Sequence, residues 1–147
     1  MGWVSSSHDT VTEDQKKNVL IVEDEQGIRD TLAELFETST SRVSTAATLE
    51  EAKGFLTRET WDLIVTDIRL GARRDGGLQV MAAAGLLSPD ATVIVLTAFP
   101  DDDNRHASIR LGATHFLGKP VDLATIASVA KQAGVVTAIE PKPVVTG

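Results

Sequence analysis

Short runs of branched apolar residues alternate along this chain with longer stretches whose apolar positions recur every three or four residues. The runs are Asn18–Val22, Arg42–Ala46, Asp62–Thr66, Thr92–Thr97 and Thr114–Gly118, and their length and β-branched content predict five strands. After the first, Ile28, Leu32, Leu35 and Phe36 fall on one helical face. After the second, Thr48 and Glu51 form a capping box ahead of Ala52, Phe55 and Leu56. Leu78–Leu87 predicts a third helix. Asp101–Asp103, following Pro100, caps and begins a fourth that ends near Gly112. A fifth opens at Asp122 and presents Leu123, Ile126, Val129, Ala130 and Ala133 before Gly134 stops it. Such regular alternation predicts a parallel sheet covered by helices on both faces, because right-handed crossovers allow little else.

A sheet of this kind carries its site beyond the carboxyl ends of its strands. The first run ends in Glu23-Asp24-Glu25, the third in Asp67, the fourth in Thr97-Ala98 and the fifth in Lys119-Pro120. Each has a plainer reading on its own: Asp67 as the opening of a turn, the Glu23–Glu25 triplet as a solvated acidic turn ahead of a helix. Together they predict a cleft holding several carboxylates, one hydroxyl and one ammonium. Two carboxylates about 4 Å apart repel by roughly 4 kcal/mol at an effective dielectric near 20, so the cluster calls for a cation. Hard oxygen donors in a chain without cysteine point to Mg2+.

Composition narrows the field further. The formal charge of −7 argues against direct nucleic-acid binding, which needs a concentrated basic face. No apolar stretch approaches a membrane span and no signal-peptide pattern opens the chain, so a cytoplasmic protein is expected. Residues 1–17 are polar and 137–147 carry two spaced prolines; both read as flexible tails around a single domain over 18–136. His8, His106 and His115 show no ligand spacing and read as surface or partly buried residues.

The segments VLIVEDE, LIVTDIRL, VIVLTAF and GATHFLGKPVD, in that order, resemble the response-regulator receiver domain of bacterial two-component signalling. Thr97 follows Asp67 by 30 positions and Lys119 follows Thr97 by 22, spacings that the resemblance leads one to expect. The resemblance implies a flavodoxin-like (βα)5 doubly wound sheet of order 2-1-3-4-5. It implies that Asp67 is the phosphoacceptor, taking a phosphoryl group from a sensor histidine kinase or phosphotransfer protein, and that the domain is a switch assisting its own phosphorylation and dephosphorylation rather than an enzyme. By the same matching, Mg2+ is held by Asp24 and Asp67 directly, by Glu23 through water and by the Arg69 backbone carbonyl. Lys119 pairs with the phosphoryl oxygens, Thr97 swings its hydroxyl onto them, and Phe116 turns inward as the switch aromatic. A downstream protein partner or output domain then reads the surface of helix four, strand five and helix five, and a phosphorylation-linked homodimer is compatible with that surface.

The loop GARRDGG departs from the family. Gly71 stands where these domains commonly carry proline, the loop reads as about two residues longer, and the third helix is expected to be shorter. Arg73 and Arg74 read as solvated charges. Two other classes remain open: a phosphorylation-independent interaction module with the same fold, and a magnesium phosphohydrolase using Asp67 as nucleophile. The second of these needs an acid/base aspartate two residues later, where the chain has Arg69.

Overall fold

Each strand of the computed structural model alternates its side chains between two apolar layers, so the sheet is buried on both faces. Residues 12, 15–120 and 122–140 are described. The elements run β1 (Lys17–Val22), α1 (Gln26–Phe36), β2 (Ser41–Ala46), α2 (Leu49–Arg58), β3 (Leu63–Thr66), α3 (Gly76–Leu87), β4 (Thr92–Thr97), α4 (Asp102–Arg110), β5 (His115–Gly118) and α5 (Leu123–Gln132). All pairings are parallel and the order is β2-β1-β3-β4-β5. This is the flavodoxin-like architecture expected.

Strand periodicity of two decides which residues meet which helices. Leu20, Val22, Ile64, Val93 and Val95 face one layer with Leu49, Ala52 and Leu56 of α2 and Val80, Met81 and Ala84 of α3. Val19, Ile21, Leu63, Val65, Ile94 and Leu96 face the other with Leu32, Leu35 and Phe36 of α1 and Ile126, Val129 and Ala130 of α5. The edge strands are less buried, in keeping with their position: no residue of β5 is fully covered. Trp61 is buried beside α2, where its indole N–H donates to the Phe55 carbonyl at 3.1 Å and its ring meets Phe55 edge-on.

The element boundaries bring three corrections. α3 begins at Gly76, two residues before the expected start at Leu78, so it takes up residues assigned to the loop and runs for twelve residues. Lys17, placed in the tail, pairs with Ser41 as the first residue of β1. At the other end the chain stays attached past residue 136. Val135 is buried, and the Ala138 N–H donates to the Leu35 carbonyl at 2.7 Å, occupying one of the free carbonyls at the end of α1. Most of both expected tails, residues 1–11, 13, 14 and 141–147, lies outside the described residues. Because a fully buried valine contributes about 1.5–3 kcal/mol, Val135→Ala is expected to lower the urea midpoint by an amount equivalent to about 1–2 kcal/mol. An unchanged midpoint would mean that residues 135–140 do not belong to the folded unit.

Candidate functional site: an acid cleft closed by a lysine

β1, β3, β4 and β5 end at the same pole of the sheet, and there the expected residues meet. Carboxylate oxygens of Glu23, Asp24 and Asp67 lie within 4.8 Å of one another. Lys119 Nζ bridges two of them, at 2.7 Å from Glu23 Oε1 and 2.8 Å from Asp67 Oδ2. Glu23 and Asp67 are 2 % and 8 % exposed, whereas Asp24 faces solvent. The cleft thus opens on the Asp24 side.

Each carboxylate is aimed by backbone. Asp67 Oδ1 accepts the Ile68 N–H at 2.6 Å, which fixes the carboxylate just beyond the buried strand. Glu23 Oε2 accepts the Glu25 N–H at 3.1 Å, and Asp24 Oδ2 accepts the Gly71 N–H at 2.9 Å. That last bond comes from a tight reversal in the β3–α3 loop, where Leu70 and Arg73 exchange backbone hydrogen bonds and Gly71 adopts φ +62°, a conformation that suits glycine. Arg29 Nη1 donates to the carbonyls of Glu23 and Asp24, holding the β1–α1 turn.

Electrostatics follow from burial. Desolvation pushes the Glu23 carboxyl above the ordinary glutamate range, against the opposing pull of the Lys119 hydrogen bond and the Glu25 amide. Burial alone would lower Lys119, but its bonds to Asp67 and Glu23 outweigh it and hold the ammonium above the ordinary lysine value. Lys119 therefore stays charged throughout the neutral range. Three carboxylates against one ammonium leave two formal negative charges, and the donors are all hard oxygens. A divalent cation of the Mg2+ or Ca2+ type fits both facts.

Thr97 ends β4 fully buried, its hydroxyl oxygen accepting the Phe99 N–H at 3.0 Å. Phe116 on neighbouring β5 is half-buried against the α2/α3 layer, with the Arg105 guanidinium 4.9 Å from its ring centroid. Arg69 lies two residues beyond Asp67. Its amide is a distant 3.4 Å from Asp67 Oδ1, and its guanidinium stacks 3.6 Å from the Phe99 ring centroid. The Lys119–Pro120 peptide is cis. Arg73 pairs with Glu50 at 3.0 Å on the exposed surface.

Gly77 escaped the sequence reading as a site residue. Its N–H donates to the Ile68 carbonyl at 2.7 Å, and a Cβ there would overlap the Asp67 carbonyl oxygen and come within 2.7 Å of the Asp67 carbonyl carbon and Ile68 Cα. The start of α3 thus packs directly on the backbone that presents Asp67. The paired glycines were the available signal, read only as the end of a long loop.

The family model for the response regulator receiver domain matches residues 19–131. The chain belongs to this receiver family. Among its relatives, the alginate biosynthesis transcriptional regulatory protein AlgB of Pseudomonas aeruginosa is 32% identical over 109 residues, covering 74% of this chain and 24% of that protein. The response regulator protein PilR of the same species is 36% identical over 113 residues, and again only 24% of its length is spanned. This receiver therefore corresponds to about a quarter of these regulators. Sporulation initiation phosphotransferase F of Bacillus subtilis, at 28% identity, is covered over 92% of its length, against 79% of this chain.

Among solved structures, a Burkholderia pseudomallei response regulator described with a phosphorylated aspartic acid, calcium ion and citrate superposes with a TM-score of 0.71 at 30% identity, covering 81% of this chain and 69% of that one. A CheY-like receiver from Methanospirillum hungatei gives 0.73 at 27% identity, covering 80% and 92%. Receiver domains are signalling switches that act with histidine kinases or phosphotransfer proteins and with output domains. No helix among the described residues is long and apolar enough to cross a membrane.

Proposed function

We propose that this receiver accepts a phosphoryl group on Asp67 from a phosphohistidine of a sensor kinase or phosphotransfer protein, in the presence of Mg2+. The observation that carries the reading is the bridged cluster itself: a carboxylate at the end of a buried strand, two more acids beside it and a lysine between them. Asp24, Asp67 and Glu23 would hold the cation, Glu23 through water, together with the Arg69 carbonyl; when bound, it neutralises charge as the phosphoryl group passes between donor and acceptor. An Asp67 carboxylate oxygen attacks phosphorus, the P–N bond to the imidazole breaks as the P–O bond forms, and the imidazole leaves with a proton. Lys119 transfers its hydrogen bond from Asp67 Oδ2 to a phosphoryl oxygen. Positioning and charge neutralisation carry the reaction and its hydrolytic reversal.

The Thr97 hydroxyl accepts from Phe99 and keeps its own proton to donate, which suits it to follow the phosphoryl group. Its departure opens space beside Phe116, whose inward turn would bury further aromatic surface. Full burial of such a side chain is worth about 1.5–3 kcal/mol, enough to shift a two-state population by one to two factors of ten. The altered α4/β5/α5 surface then meets a downstream protein or output domain, or a second phosphorylated copy, in the cytoplasm.

Acetyl phosphate with Mg2+ should yield one acid-stable, base-labile phosphate adduct by intact-mass analysis. It should vanish in Asp67→Asn and in excess chelator. An adduct that survives the Asn substitution would move the phosphoacceptor off Asp67, and no adduct on the wild type would leave a phosphorylation-independent interaction module as the better reading.

A further inference from the structure

Four of the five helices bury apolar residues in the two layers flanking the sheet; α4 does not. Its only fully buried residue is Ser108, whose hydroxyl has no hydrogen-bond partner, while the adjacent Ile109 is 55% exposed. A buried hydroxyl without a partner costs stability instead of anchoring the helix. Locally α4 is well made: Asp101 caps it through the Asn104 N–H, Asp102 and Asp103 fill its first turn, and Arg110 sits in its last. It is a well-capped helix with little apolar attachment.

Two side chains attach it instead. Asn104 Nδ2 donates to the Phe99 carbonyl at 2.8 Å, and the N–H of that same Phe99 donates to the Thr97 hydroxyl. Arg105 stacks its guanidinium over Phe116, and among the described residues no carboxylate pairs with it. Both links end on a residue of the switch or its immediate partner. We infer that Asn104 and Arg105 fasten α4 in the resting state, and that movement of Thr97 and Phe116 releases both together. The inference rests on the proposed Thr97–Phe116 coupling and names the residues that carry it to the helix. Arg105 and Asn104 are positioning residues, remote from the carboxylates.

Hydrogen exchange of the α4 amides in the full chain tests this, with α3 and α5 as internal references and beryllofluoride with Mg2+ as the phosphoryl mimic. Arg105→Gln should speed α4 exchange roughly 2- to 5-fold in the resting protein, the scale of an exposed cation–π contact. Asn104→Ala should speed it roughly 2- to 10-fold, the scale of one hydrogen bond. Their effects should multiply in the double variant, while Arg105→Lys, which keeps a cation over the ring, should stay close to wild type. Beryllofluoride should bring wild-type α4 toward the double variant. Resting exchange equal to wild type in both single variants, or acceleration spread equally over α3 and α5, would overturn the inference even with a normal wild-type response to beryllofluoride. If beryllofluoride instead changes nothing in wild type while the variants still speed α4, the fastening stands and the phosphorylation reading falls.

Discussion

Lys119→Ala should lower unfolding stability by about 3–5 kcal/mol in chelator, the usual cost of stripping the partner from buried charges. It leaves Glu23 and Asp67 facing each other with no positive group between them. The loss should depend on pH with a definite sign. Burial already raises the Glu23 carboxyl, and removing the lysine hydrogen bond raises it further. A raised carboxylate costs stability when ionised, so the variant should regain stability as pH falls through the Glu23 value and lose it again as pH rises. In wild type the lysine's contribution is present below the ordinary lysine value and is lost as pH rises through its raised folded-state value. Magnesium should stabilise the variant more than wild type, since a competing cation is gone and the ion binds the folded form alone. Urea melts from mildly acidic to neutral pH, with chelator or Mg2+, check the loss, its pH dependence in the variant and the magnesium gain. A loss under about 1 kcal/mol, or equal magnesium gains in both proteins, would mean that the bridge does not govern the cleft.

Gly77→Ala and Gly85→Ala are the same change in the same helix and should have opposite signs. At Gly77 the added methyl meets the backbone of Asp67 and Ile68, which cannot swing aside as a flexible side chain would. Overpacking against backbone should cost about 3 kcal/mol or more, and because the displaced atoms carry the acceptor, adduct formation with acetyl phosphate should fall with it. At Gly85 nothing lies within 4 Å of the added carbon. Replacing a helical glycine there should stabilise by about 0.4–1 kcal/mol without touching phosphorylation. Equal effects at both positions, measured by denaturant melts and intact mass, would remove Gly77 from the site.

The three central strands were legible because each is a short branched apolar run committed to burial, and the acid cleft was legible because its residues directly follow such runs. Local geometry was read less completely. Thr48 accepts the Glu51 N–H as the capping box predicts, but Glu51 reaches past it to the Ala47 N–H at 2.7 Å. The bond from Gly71 to Asp24 spans 47 positions, and the approach of Gly77 to Asp67 depends on how the loop folds back. Neither leaves a periodic trace. α4 was found through Asp101 and its neighbours, since the segment has no apolar face; that missing face is itself what the structure explains.

The Ala138–Leu35 bond also sets a direction of travel. α1 ends at the pole of the sheet where the strands begin, and Gly134 sits there beside Lys17 at the start of β1. Val135 and Ala138 therefore anchor this end of the described chain at that pole, opposite the strand ends that carry Glu23 and Asp67.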